Sequence, residues 1–103
     1  MQGDQAKAEL DLPRSIAGRY EVTHLLGRGG MSVVYAVRDP RTGSRCALKL
    51  LAPESTANRQ QVTAFFEREY AVLAQLTHPG IITVYDYGIT ANSAYYTMEL
   101  LEG

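Results

Sequence analysis

LLGRGGMSVVYAV, residues 25–37, places three glycines within four positions and follows them with β-branched and aromatic residues. What comes on either side of the glycines decides the fold. A P-loop needs Lys and Ser or Thr after its last glycine, at the start of a helix. Here Gly30 is followed by Met31, Ser32 and a segment with strand composition. A dinucleotide fold needs its glycines to open a helix, with an acidic residue about 20 positions on. SVVYAV is a poor helix former, and residues 46–48 are Cys, Ala and Leu. What remains is a glycine-rich hairpin between two antiparallel strands. Such a hairpin either lets backbone N–H groups approach phosphate oxygens or is a bare turn. The glycines alone leave both open.

Working outward, YEVTHLL (20–26) alternates apolar and polar residues and reads as a strand. SVVYAVRD (32–39) is the second strand, PRTG (40–43) a turn, and SRCALKLL (44–51) the third strand. The period then changes. In RQQVTAFFEREYAVLAQL (59–76), Val62, Phe65, Phe66, Val72, Leu73 and Leu76 recur at helical spacing. Ser55 or Thr56 is expected to cap this helix, and Pro79 to stop it near Thr77 or His78. IITVYDYG (81–88) and AYYTMELL (94–101) are two further strands, joined by the polar ITANS (89–93). The expected fold class is α+β: a five-stranded antiparallel sheet with one main helix, in the order β-β-β-α-β-β. Residues 1–18 read as a flexible polar lead-in and residues 19–103 as one domain.

Composition narrows the function. The 103 residues are 46% hydrophobic and 20% charged, with a formal net charge of −1. That balance offers no electrostatic case for nucleic acid. Cys46 is the only cysteine, so it has no internal disulfide partner and suits a reducing cytosol. His24 and His78 are far apart, and no metal site is expected. No apolar run nears the roughly 18 residues that span a bilayer, and the polar N-terminus lacks a signal-peptide core. A cytoplasmic domain is expected, with a membrane segment beyond Gly103 left open.

Two residues break their local patterns. There are eight arginines but only two lysines, and Lys49 sits among the apolar residues of CALKLL. On a strand, Ala47, Lys49 and Leu51 share a face. Glu69 lies seven residues after Val62 and four before Leu73, on the apolar side of the helix. Each charge is costly there unless paired, which makes the two natural partners. A structural salt bridge, or a lysine reaching past the core to solvent, is the alternative. With the glycine hairpin one strand upstream, the three features converge on a phosphate site: N–H groups, a cation, and a carboxylate that orients the cation.

These residues resemble the N-terminal lobe of a eukaryotic-like (Hanks-type) bacterial serine/threonine protein kinase. LGRGGMSVVYAVRD (26–39) is similar to the family's glycine-rich loop, and CALKLL (46–51) to its V-A-I-K strand. FFEREYAVLAQLTHPGIITVYDYG (65–88) resembles the αC helix and the His-Pro connection, and YYTMELLEG (95–103) the last strand and hinge. The resemblance implies that Lys49 contacts the α- and β-phosphates of ATP and that Glu69 holds Lys49. It implies a phosphate lid over Leu26, Gly27, Arg28, Gly29, Gly30, Met31 and Ser32. It also implies Leu26, Val34 and Ala47 against the adenine faces, Met98 as gatekeeper, and hydrogen bonds to the adenine edge from the Glu99 carbonyl and the Leu101 amide. Two positions depart from the family. Ser32 stands where the third glycine of the loop is usual, and Gly80 follows Pro79 where Asn is frequent.

The complete enzyme is expected to transfer the γ-phosphoryl group of ATP to Ser or Thr of protein substrates, with Mg2+. The 103 residues contain neither H-R-D nor D-F-G, so the base, the Mg2+ ligands and the C-terminal lobe are absent from them. By itself, the chain is expected to catalyse no transfer. The alternatives are a non-catalytic lobe acting as an interaction or nucleotide-binding module, and a small α+β domain with no nucleotide role.

Overall fold

The computed structural model describes residues 12–51, 59–76, 80, 82–90 and 93–100. Among the described residues, a six-stranded sheet carries one helix. The elements are β1 (Ser15–Ile16), β2 (Tyr20–Arg28), β3 (Ser32–Asp39), β4 (Ser44–Leu51), α1 (Arg59–Gln75), β5 (Val84–Thr90) and β6 (Ser93–Met98). The strand order is β1-β2-β3-β4-β6-β5, and every pairing is antiparallel. This is the expected α+β architecture with one strand more than the five anticipated. The sixth is the short β1, in the segment read as lead-in. Ile16, only 4% exposed, supplies the reason: it enters the core, with Leu12 packed beside it. The turn into β2 puts Ala17 and Gly18 at φ 58° and 63°.

The β3–β4 turn follows the sequence. Gly43 takes φ 76°, which a Cβ would disfavour. The Asp39 carbonyl accepts the N–H groups of Thr42 and Gly43, and its carboxylate accepts that of Arg41. The Arg19 guanidinium donates to the same carboxylate at 2.8 Å.

Strand alternation builds two cores. On one face Val33, Tyr35, Val37, Cys46, Leu48 and Tyr95 pack with Ile16 and Tyr20. The sheet curls towards this face. Tyr20 on β2 and Tyr95 on β6 are separated by two strands, which in a flat sheet means roughly 14 Å. Their ring centroids are 5.9 Å apart. On the other face Ala47, Leu51, Ala94, Tyr96 and Met98 meet α1 through Phe66, with Val62, Tyr70 and Leu73 beside it. Burying a side chain such as Phe66 is worth about 2–3 kcal/mol, and it is what seats the helix.

The helical apolar stripe is only half used by this contact. Phe65, Val72 and Leu76 are 61%, 51% and 45% exposed. A stripe that wide cannot lie wholly against one curled sheet, and Phe65 and Val72 from its outer half line a cleft. The capping positions Ser55 and Thr56, and the stop at Thr77–Pro79, lie outside the described residues. Among the described residues, no helix is long and apolar enough to cross a membrane.

Candidate functional site

Sheet register places the predicted residues. Gly27 pairs with Val34, Val34 with Lys49, Lys49 with Tyr96, and Tyr96 with Tyr87. Paired residues point to the same side of a sheet. One row across five strands therefore runs from the glycine hairpin, through the lysine, to the aromatic cluster under α1. The neighbouring row contains Ala36, Ala47, Met98 and Val84.

Between this surface and α1 lies a cleft of about 680 Å³. Val34, Lys49, Glu69 and Met98 line it, together with Phe65, Val72, Leu73 and Tyr96. The Lys49 Nζ donates to Glu69 Oε1 at 2.7 Å. The same ammonium stands 5.9 Å from the Tyr96 ring centroid and 6.0 Å from that of Phe66. The ion pair is not deeply buried as its place on the apolar stripe had suggested. The lysine side chain is 23% exposed and the glutamate 44%, because both open onto the cleft.

A third group joins the pair. The Tyr96 hydroxyl donates to Glu69 Oε1, the oxygen that also receives Lys49. Partial burial pushes the Glu69 carboxyl up, but the hydrogen bonds from Lys49 and Tyr96 and the ammonium charge outweigh it. The carboxyl ends below its ordinary value. Burial, and then the bond to Glu69, push the Tyr96 phenol well above its ordinary range, so it stays a donor.

The glycine hairpin closes through the Gly29 N–H, which donates to the Ser32 carbonyl at 2.8 Å. Leu26 and Met31 are 45% and 46% exposed, and Arg28 is exposed at the end of β2. Gly27, Gly29 and Gly30 do not take positive φ. A Cβ built on Gly27 or Gly30 meets nothing within 4 Å, and one on Gly29 meets only the Ser32 side chain at 3.5 Å and its carbonyl at 3.9 Å. The fold itself thus needs none of the three to be glycine.

Two further residues of the expected site, Ala47 and Glu99, are described. Ala47 is 4% exposed, flanked by Ala36 and Met98. The Glu99 amide donates to the Thr83 carbonyl, and its carboxylate accepts the Thr83 N–H, each at 2.8 Å. Leu101 lies outside the described residues. Gly80 is described but belongs to neither the cleft nor the hairpin. Among the described residues, no group of three His, Cys, Asp or Glu side chains is placed to hold a metal ion.

Tyr96 is the residue the sequence reading missed. A signal for it existed: two positions before Met98 on a strand, it must share that residue's face.

Known proteins resemble this chain in sequence and in fold. Residues 20–103 match the family described as "Protein kinase domain". A probable serine/threonine-protein kinase of Streptomyces coelicolor is 39% identical over 98 residues, covering 91% of this chain and 14% of that protein. A DNA damage-responsive serine/threonine-protein kinase of Deinococcus radiodurans is 43% identical over 93 residues, covering 85% of this chain and 13% of that protein. The chain therefore spans less than a fifth of the curated relatives it matches. Among solved structures, a double mutant of the Mycobacterium tuberculosis PknI kinase domain superposes with a TM-score of 0.70 at 34% identity. The match covers 89% of this chain and 36% of that one. A structure described as "PpkA-294 apo form" reaches a TM-score of 0.79 at 22% identity, covering 90% and 40%, and speaks for the fold alone.

Proposed function

The chain belongs to the protein kinase family, with the fold of its N-terminal lobe, and from that premise we propose that it is the ATP-binding lobe of a serine/threonine kinase. Residues 19–103 form the lobe in this reading. The observation that carries it is the Lys49–Glu69 pair, 2.7 Å long, opening onto a cleft beside a glycine hairpin. In that cleft Lys49 holds the α- and β-phosphates, and Glu69 fixes the lysine. Val34, Ala47 and Met98, with Leu26 from the hairpin, supply the apolar walls for adenine. The Glu99 carbonyl and the Leu101 amide take its polar edge.

The hairpin fits the role. Gly27 and Gly30 are required neither by backbone conformation nor by packing within the chain. Their small size is explained by something outside the chain that comes close to the backbone, as a phosphate does. The loop Gly27–Arg28–Gly29–Gly30–Met31–Ser32 is then a lid that excludes water and positions the γ-phosphate. Mg2+, when bound with the nucleotide, neutralises phosphate charge; the described residues assign it no ligand set. Transfer to protein Ser or Thr belongs to the complete enzyme, with a C-terminal lobe providing the base. The reading is tested by ATP titration of the chain and of Lys49→Met.

A non-catalytic interaction module is the second reading. It is favoured by the exposed apolar side chains of Phe65 and Val72 on α1 and of Leu76 just past its end. A chain that binds partners through those side chains but shows no affinity for ATP supports it.

A further inference from the structure

The Lys49–Glu69 pair has a third member. Tyr96 is the register partner of Lys49, so the phenol and the ammonium project side by side from adjacent strands. Both deliver a proton donor to Glu69 Oε1. The two donors differ in what they can do. The lysine ends in a flexible stem and is 23% exposed, free to leave for another anion. The tyrosine is 2% exposed, with its ring fixed against Phe66 at 5.1 Å and Tyr70 at 5.6 Å. Both of those rings sit on α1, so the phenol is held by the helix it hydrogen-bonds. A rigid donor loses little conformational entropy when it bonds, whereas a lysine loses much.

We propose that Tyr96 is a positioning residue for Lys49. Its hydroxyl pins the Glu69 carboxylate to β6 and latches α1 to the sheet, so that the carboxylate waits at the cleft independently of the lysine. The inference deepens the ATP-lobe reading and rests on it for its functional consequence. Without the latch, the only polar tie between the Glu69 carboxylate and the sheet among the described residues is the lysine itself, which must also serve the phosphates. With it, Lys49 turns between carboxylate and phosphate over a fixed partner. Burial and the bond to Glu69 favour the neutral phenol, so the donor persists at any working pH.

Three measurements on the chain test this. Tyr96→Phe removes one oxygen and keeps the ring. The Glu69 carboxyl, followed by 13C NMR, is expected to titrate at higher pH in Tyr96→Phe than in wild type, with unchanged folded dispersion in the spectrum. A folded Tyr96→Phe whose Glu69 titration does not move overturns the latch, because a purely packing role leaves that carboxyl alone. ATP affinity is expected to fall roughly three- to tenfold in Tyr96→Phe, the scale of one ordinary net hydrogen bond, since the loss reaches the nucleotide only through Lys49. In a Lys49→Met background the same substitution is expected to cost nothing further, since Tyr96 acts through the lysine. An equal loss in both backgrounds contradicts a positioning role and indicates direct contact with the nucleotide. Should Tyr96→Phe fail to fold, 3-fluorotyrosine at position 96 makes the phenol a stronger donor, and the Glu69 titration must then move down; no movement overturns the proposal. Wild type that binds no ATP contradicts the ATP-lobe reading, while the carboxyl titration still decides the latch.

Discussion

Lys49 and Glu69, twenty residues apart in sequence, meet at 2.7 Å across the boundary between β4 and α1. The contact joins the sheet to its only described helix at the mouth of the cleft. Because both side chains reach solvent, the pair contributes little to stability: exposed pairs are worth about 0–1 kcal/mol. Lys49→Met is therefore expected to shift the urea unfolding free energy by less than about 1 kcal/mol while lowering ATP affinity more than roughly tenfold. Paired unfolding and calorimetric titrations separate the two effects. A large stability loss with unchanged affinity contradicts the nucleotide role.

The glycine hairpin makes the opposite test. Gly30 has ordinary φ and open space at its Cβ position. Gly30→Ala is expected to leave stability unchanged or raise it by up to about 1 kcal/mol, by restricting the unfolded chain. ATP affinity is expected to fall several-fold, because a methyl group then stands where phosphate approaches. An alanine variant with wild-type affinity counts against the lid.

Gly88 is constrained by the core instead. A Cβ there comes within 2.6 Å of the Tyr95 hydroxyl and 2.7 and 2.9 Å of its ring atoms. The two residues are register partners, and Tyr95 is held edge-on by Tyr20. Gly88→Ala forces that packed ring aside and is expected to cost about 1–3 kcal/mol in denaturant unfolding. A substitution that costs nothing means that the far core is looser than the geometry indicates.

Two carboxylates make the fold sensitive to acid. Hydrogen bonding to Arg19 holds Asp39 below its ordinary value against the opposing effect of burial. Glu69 is likewise lowered: burial raises it, and Lys49 and Tyr96 more than reverse that. A carboxyl depressed in the folded state stabilises fully above its unfolded value, 3.8 for Asp and 4.5 for Glu, and the gain disappears as pH falls through the folded value. Thermal midpoints are expected to be level above those values and to drop below them. Asp39→Asn, which keeps the shape but loses the charge, is expected to flatten part of the drop; an unchanged profile contradicts the assignment.

Much of this was legible in the residues. The strand composition on both sides of the glycines excluded two helix-opening nucleotide folds, and the turn at 40–43 formed as its Pro and Gly require. Lys49 and Glu69 were found because each is a charge in an apolar pattern, and that misfit is local. What could not be read locally depends on curvature. The pairing of β1 with β2 rests on Ile16 reaching a core that exists only once the sheet curls. The exposure of Phe65, Val72 and Leu76 depends on how much of the helix that curled sheet can cover. Tyr96 escaped notice for another reason: a tyrosine in a strand fits the pattern of an ordinary core residue, and only the register beside Lys49 reveals its hydroxyl as part of the site.

The central claim is that this cleft binds ATP through Lys49. Its most direct test is an ATP titration of the isotope-labelled chain followed by amide chemical shifts. Saturable shifts at Gly29, Ala47 and Lys49, strongly weakened in Lys49→Met, are the predicted result. Shifts that do not saturate, or that persist unchanged in the Met variant, contradict it.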